Sequence, residues 1–332
     1  MLSNLPKRAQ IRSITNVIVD VITGVNTSAI MAIANAPSKL SLPQHNPGVA
    51  TVLEFLILKF PAISRDVWQQ RMDAGKVHWH DGRLISAQTP YAAQQRVYYY
   101  REVAREPVIP FTEKIVYEDE LILVAYKPHF LPVMPGGEYV EECLQNRLRK
   151  KSGNQQLQAV HRIDNGTAGL VLFSVNRNSR ALYHRLFETH DVTKTYQAIA
   201  KTYNNVPMDN QQWEIKNRLE KSEPRFLMHI VEGVVNSHSR IRCLKHSADK
   251  ALFELNPITG KTHQLRLHMQ SLGWPLLHDN YYPELQPNKP ADYSKPLQLL
   301  AQKLQFIDPI TQQARNFSSH IELSLDDSAQ VI

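Results

Sequence analysis

The sequence predicts an α+β fold, in which a small N-terminal α+β module precedes a larger domain with a mixed, largely antiparallel sheet. Three observations predict it. From about residue 111 to 320, strand-forming runs recur at ILVAYK, GLVLFSV, KTYQAIA, RIRCLK and KALFELNP, with few helical patterns between them. Strands joined without regular crossover helices build antiparallel rather than doubly wound sheets. Neither GxGxxG nor GxxxxGK[ST] occurs, so nucleotide-binding parallel sheets lack their fingerprint. Ahead of this region, some 40 residues carry two short helical patterns and a hairpin signal. A length of 332 residues agrees with about two domains.

Residues 1–48 read as a loose extension ending in the turn-rich stretch SLPQHNPG. The module spans 49–105. Val52, Leu53, Leu56, Ile57 and Phe60 follow a helical period, and Pro61 stops it. Ser64 reads as the N-cap of a second helix, with Trp68 and Met72 one turn apart and Gly75 closing it. Asp81-Gly82, between two strand-like runs, signals a hairpin. Arg65, Arg71, Lys76, His78, His80 and Arg83 give the module many donors suited to phosphate. The stretch from Tyr98 to Pro110 reads as a linker.

The larger domain spans 106–325. Its helical patterns are NRNSRALYHRLFETH, at 176–190, and a helix beginning near Thr262 with the apolar stripe Leu265, Met269 and Leu272.

The bulk properties restrict function. A net charge of +7 favours a polyanionic partner such as nucleic acid. The two cysteines, Cys143 and Cys243, have no C-x-x-C pairing, which argues against a disulfide framework or zinc knuckle and for a reducing compartment. No apolar run is long enough to span a bilayer, and Asp20 interrupts the faintly signal-like start, so the expectation is a cytoplasmic protein without a membrane partner. His263 and His268 are five apart and do not share a helix face, so no metal site is expected. An esterase-type serine elbow is also missing.

Two segments carry candidate chemistry. HRIDNGTAG, at 161–169, sets Asp164 among His161, Arg162 and Thr167 in a glycine loop directly before a strand. Such an aspartate is usually a turn residue, but a glycine loop also lets backbone approach a ligand. NPITGKTHQLRLHMQ, from 256, puts Arg266 on a helix, off its apolar stripe. A helix-borne guanidinium is suited to pair with a carboxylate and keep it ionised.

Together these segments resemble the RluA-type pseudouridine synthases. HRIDNGTAG matches the family's H-R-[LI]-D-x-x-T-[SA]-G, KTYQA its K-x-Y-x-A, and TGKTHQLRLH its T-G-R-T-H-Q-[IL]-R-x-H. YKPHFLPV matches the strand ending in Lys-Pro that precedes them, and LQLLAQKLQFIDPITQQ the closing strand. The motifs fall in the family's order across about 111–320, and residues 51–100 more loosely resemble the alpha-L RNA-binding module that many members carry. The resemblance implies a pseudouridine synthase fold and the isomerisation of uridine to pseudouridine in structured RNA, without a cofactor, by a monomer. By family analogy it favours large-subunit ribosomal RNA over transfer RNA. It places the catalytic roles on Asp164 (nucleophile), Tyr196 and Arg266; substrate binding is expected at Lys127, His161, Arg162, Thr167, Lys261, His263 and Gln264, with the basic Arg162, Lys127 and Lys261 as clamps on the flanking phosphates. Alternatives are a non-catalytic RNA-binding protein on the same fold and an N-glycoside hydrolase using the same aspartate.

The chain departs from the family pattern in places. Lys261 stands for an arginine, Ala168 for a common serine, and Asn165-Gly166 follow the aspartate where a basic residue is frequent. His278 replaces a glycine before Asp279, and His129-Phe130 replace small residues after Lys-Pro. These differences bear on substrate identity more than on the three catalytic positions.

Overall fold

The computed structural model describes residues 29–34, 36–202, 206–287 and 290–326. It divides into two compact units. The smaller comprises Ala29–Glu106 with Gly137–Glu141, and the larger comprises Pro107–Gly136 and the chain from Glu142 onward.

In the smaller unit, helix α1 (Val52–Lys59) starts at a capping box, in which Thr51 accepts from the backbone of Glu54 and the Glu54 carboxylate accepts from that of Thr51. Helix α2 (Arg65–Asp73) starts at Ser64, as expected. Their apolar faces meet around Leu53, Leu56, Trp68 and Met72, all buried. Strand β3 (Val77–Trp79) turns through Gly82, whose φ of +85° favours glycine. Beyond that turn only an isolated bridge forms, between His78 and Leu84.

The structure differs from expectation on either side of the helices. Ala29–Ile33 (β1) and Ser38–Ser41 (β2) are strands, so the expected loose extension is ordered there; its first 28 residues lie outside the described ones. The expected linker is also strand: Arg96–Tyr99 (β4) pairs with both β2 and β3, and Glu102–Pro107 (β5) pairs with β1. Val97 and Tyr99 alternate inward, which the polar flanks of the tyrosine run concealed. Three expected phosphate donors are already paired. Arg71 is buried with Nε 3.2 Å from Glu102, Lys76 bonds the same carboxylate, and Arg83 lies 2.8 Å from Asp81.

The larger unit is built on one eleven-stranded sheet. Its strands are Lys114–Glu118 (β6), Ile122–Lys127 (β7), Gln158–Ala159 (β8), Ala168–Ser174 (β9), Val192–Lys201 (β10), Gln212–Lys221 (β11), Met228–Val231 (β12), Ser237–His246 (β13), Lys250–Pro257 (β14), Leu299–Ile307 (β15) and Ala314–Ser318 (β16). The order is β12-β11-β13-β14-β10-β15-β9-β7-β6, with β16 on β15 and β8 on β9. Every pairing is antiparallel except that of β15 with β9. At that parallel junction Gly169 has φ +116°, and a Cβ there would sit 2.2 Å from the Ala301 carbonyl oxygen. Only glycine fits.

Among the described residues, three helices complete the unit: Leu144–Ser152 (α3), Arg180–Glu188 (α4) and Gln264–Ser271 (α5). α4 buries Tyr183 and Leu186 against Ile122, Leu172 and Leu304. α5 buries Leu265 and Met269 among Ala198, Phe253, Leu255 and Leu299. Each such buried leucine contributes about 1.5–3 kcal/mol relative to exposure. α5 begins two residues later than the sequence predicts, because His263 adopts a left-handed backbone (φ +54°). β11 and β12 were not anticipated, although β11 sets Trp213, Ile215 and Leu219 alternately with Glu214, Lys216, Arg218 and Glu220.

Candidate active site

The loop from β8 to β9 carries Asp164. The Thr167 N–H donates to the Asp164 carbonyl at 3.1 Å, closing a turn that presents the carboxylate. The segment after β7 grips this loop from behind. Lys127 is fully buried and donates to three carbonyls, Pro128 at 2.9 Å, Leu131 at 2.6 Å and Asn165 at 3.0 Å. An ammonium has three donors, so none is left for a phosphate. The expected role of Lys127 as a phosphate clamp is therefore corrected to that of a loop anchor. Its pKa is pushed down to about 7 by burial, against the pull of Asp164. His129 holds the next carbonyl, Gly166, at 2.7 Å from Nδ1. A side chain at residue 166 would press on Leu297 at 3.3 Å, so the glycine lets the loop lie flat.

Arg266, on α5, is 5% exposed. Its Nε and Nη2 bond Asp279 at 2.8 and 2.5 Å, and its Nη1 lies 3.4 Å from the Asp164 carboxylate. The guanidinium also lies over the rings of Tyr281 (4.7 Å) and Tyr282 (5.2 Å). Burial opposes its charge, but the bonds to Asp279 and the charges of Asp279 and Asp164 outweigh it and raise the pKa. Asp164 thus faces a permanent cation that another carboxylate holds in place.

Tyr196 lies on β10, at a bulge in its pairing with β15. Burial, then the Asp164 charge, raises the phenol's pKa above its usual 10, so the hydroxyl keeps its proton. His263 lies 3.9 Å from Asp164 through Nε2 and 2.8 Å from the Tyr282 hydroxyl through Nδ1. Burial lowers its pKa in spite of Asp164, which keeps the ring neutral.

Asp164, Tyr196 and Arg266 line one cavity of about 490 Å³, with Arg162, Lys261 and Lys194 also in its wall. Arg162 and Lys261 are exposed, as phosphate contacts must be. Three other expected binding residues serve the scaffold. Burial pushes His161 down to about 3, and its Nε2 accepts from the Leu172 N–H at 3.0 Å while the ring stacks on Phe187 at 4.4 Å. The Gln264 amide is fully engaged: it accepts from Thr259 (2.6 Å) and the Lys261 N–H (3.1 Å), and donates to His238 (2.9 Å) and Ser239 (2.8 Å). Thr167 is 2% exposed.

Sequence reasoning missed Asp279, Tyr281 and Tyr282 as partners of Arg266. The His-Asp-Asn-Tyr-Tyr run after α5 was the available signal. His278 has φ +62° where a glycine would reach this region cheaply, and Phe130 has φ +67°, each at a cost of roughly 1–2 kcal/mol. His278 is held by the Pro296 carbonyl, 3.1 Å from Nδ1.

No cluster of metal-ligating side chains occurs among the described residues, and none of their helices is long and apolar enough to cross a membrane.

A family model described as RNA pseudouridylate synthase matches residues 121–271, from β7 through α5, a range that includes Asp164, Tyr196 and Arg266. The chain is 30% identical over 237 residues to an RNA pseudouridine synthase of Synechocystis, covering 70% of this chain and 79% of that one. It is also 30% identical over 227 residues to the dual-specificity RNA pseudouridine synthase RluA of Pasteurella multocida, covering 64% and 94%. Among solved structures, human RNA pseudouridylate synthase domain containing 1 is similar in fold, with a TM-score of 0.51, 22% identity, and coverage of 63% of this chain and 83% of that one.

Proposed function

This chain belongs to the RluA-type RNA pseudouridine synthases, and from that premise we propose that it isomerises uridine in structured RNA with Asp164 as the nucleophile. One observation carries the reading: the Asp164 carboxylate meets Tyr196 and the Asp279-bound Arg266 in a single cavity.

The reaction breaks the N1–C1′ bond of uridine, forms C5–C1′, moves the C5 proton off and leaves N1 protonated, so atoms and electrons balance without a redox partner. Ionised Asp164 attacks either the anomeric carbon or the uracil ring, and is released when the base has turned and rejoined. Arg266 stabilises the carboxylate before attack and after release. Tyr196 packs its ring on the base and offers a protonated hydroxyl for proton transfer. The base must leave its stack, which costs a few kcal/mol in a duplex and less in a loop, so stem-loops and junctions are favoured. Arg162 and Lys261 are assigned to the flanking phosphates.

For the RNA, we favour large-subunit ribosomal RNA over transfer RNA by analogy with members that carry a front module. Lys39, Lys59, Arg65 and Arg96 remain exposed on the smaller unit here. The test pairs Asp164→Ala with pseudouridine mapping of ribosomal and transfer RNA from a strain lacking the gene. The variant should bind RNA within about tenfold of wild type and make no pseudouridine. Turnover by the variant excludes the nucleophile; a mark missing only from transfer RNA excludes the ribosomal preference.

A further inference from the structure

Away from the cavity, the side chains of two arginines and the backbone of a third meet the turn before β8. Arg149, in the last turn of α3, donates through Nε to the Leu157 carbonyl at 2.8 Å. Arg180, the first residue of α4, donates through Nη2 to the Gln156 carbonyl at 2.6 Å. The Arg177 backbone N–H reaches the Gln156 side chain at 3.3 Å. Among the described residues, none of the three has a carboxylate partner. Neighbouring Lys150 and Lys151 are exposed. Arg149 and Arg180 are half-buried and each is tethered by one N–H, which leaves their other guanidinium N–H groups without a protein partner among the described residues. The Nε of Arg180 is buried without a partner among the described residues. α4 also begins without a side-chain cap, so its first N–H groups add positive potential at the same place.

Protein structure usually neutralises such a group: elsewhere in this chain Arg71, Arg147, Arg242, Arg266 and Arg315 all meet carboxylates. Basic residues in the last turn of α3 suit its dipole, but that explains neither Arg177 nor Arg180. We infer that Arg149, Arg177 and Arg180 form a second phosphate-binding surface, which holds the backbone of the RNA substrate outside the cavity.

Continuity with the cavity supports this. α4 runs from Arg180 to Glu188, a path of about 12 Å, and Phe187, Glu188 and His190 line the cavity. The chain from Leu157 to Arg162, about 16 Å if extended, ends in the same wall. Both routes separate the arginines from Asp164 by a few nucleotides of single strand. For Arg149, burial and then repulsion from Arg180 lower the pKa; for Arg180, burial and then Arg177 do the same. A phosphate seated among them would relieve that repulsion.

The inference rests on the RNA-substrate reading but not on Asp164 chemistry, and its test needs no turnover. The double variant Arg149→Gln/Arg180→Gln is titrated with bulk transfer RNA and with a generic RNA stem-loop by fluorescence anisotropy across a salt series. Affinity should fall about tenfold, and the slope of log affinity against log salt should flatten by about 1.5, the loss of two phosphate contacts. The Arg149→Lys/Arg180→Lys variant should retain most of the slope. An unchanged slope overturns the inference, and so does an affinity loss that merely tracks a fall in melting temperature. If wild type isomerises no RNA while the slope still flattens, the Asp164 reading fails and the surface stands.

Discussion

Asp279 holds Arg266 by both prongs of its guanidinium, Nε to Oδ2 at 2.8 Å and Nη2 to Oδ1 at 2.5 Å, with both side chains almost wholly buried. That grip leaves only Nη1 to face Asp164, at 3.4 Å. The arginine's aim is therefore set by a residue outside the motif that carries it. Asp279→Asn removes the charge that offsets a buried cation, and breaking such a pair costs about 3–5 kcal/mol. Urea denaturation should show that loss, and single-turnover rates should fall with it. A variant within about 1 kcal/mol of wild type would mean the pair is solvated and incidental.

Tyr196 combines a ring and a hydroxyl that one substitution separates. Tyr196→Phe keeps the ring against the base, so RNA affinity should hold. Removing a proton-transfer group costs about 10²–10⁴ in rate, so kcat should drop by at least about a hundredfold with KM unchanged. Because the phenol's pKa is raised by burial and Asp164, wild-type activity should show no tyrosinate limb below pH 10. Full activity in the phenylalanine variant would leave the residue a packing role alone.

The centre of the larger unit was legible because its strands are buried on both faces and read as apolar runs: all seven residues of β9 and all six of β7 are buried. β11 escaped although Trp213, Ile215 and Leu219 alternate with charged residues: Asn217 interrupts the apolar side, and only Leu219 of the three is fully buried. At the site, spacing could not show that Asp164 and Arg266, 102 residues apart, would meet; family resemblance supplied that pairing. Charge misled where a basic residue faces inward. Lys127 looked like a phosphate ligand on charge, yet its place at the end of a buried strand makes it an anchor for three carbonyls. Local sequence records the charge of a side chain, whereas its direction is fixed by the sheet.

The parallel junction of β9 and β15 gives a sharp stability prediction. At residue 169 any Cβ would lie 2.2 Å from the Ala301 carbonyl oxygen and 2.6 Å from its nitrogen, on a backbone with φ +116°. Neither neighbour is a side-chain end that can swing away. Gly169→Ala should therefore part the two strands, with a loss of about 4 kcal/mol or more, seen as a collapse in soluble yield and melting temperature. Gly166→Ala meets only the flexible Leu297 side chain, at 3.3 Å, and should remain folded. Equal stability of the two variants would show that the junction yields.

Lys127 links the site to pH. Burial pushes its pKa from 10.5 down to about 7 in the native protein. Below pH 7 the lysine is protonated whether the chain is folded or not, and the full cost of burying its charge is present. Between about 7 and 10.5 the unfolded chain still holds a proton that the native protein has released, so stability rises with pH across that window. Lys127→Met has no such proton. The difference in urea midpoint, wild type minus variant, should therefore climb between pH 6.5 and pH 9.5. The same variant leaves the carbonyls of Pro128, Leu131 and Asn165 without their donor. It should therefore loosen the Asp164 loop and lower kcat more than RNA affinity. Parallel stability profiles for the two proteins across that range would show that the ammonium stays charged in the fold, with the three carbonyl bonds outweighing its burial.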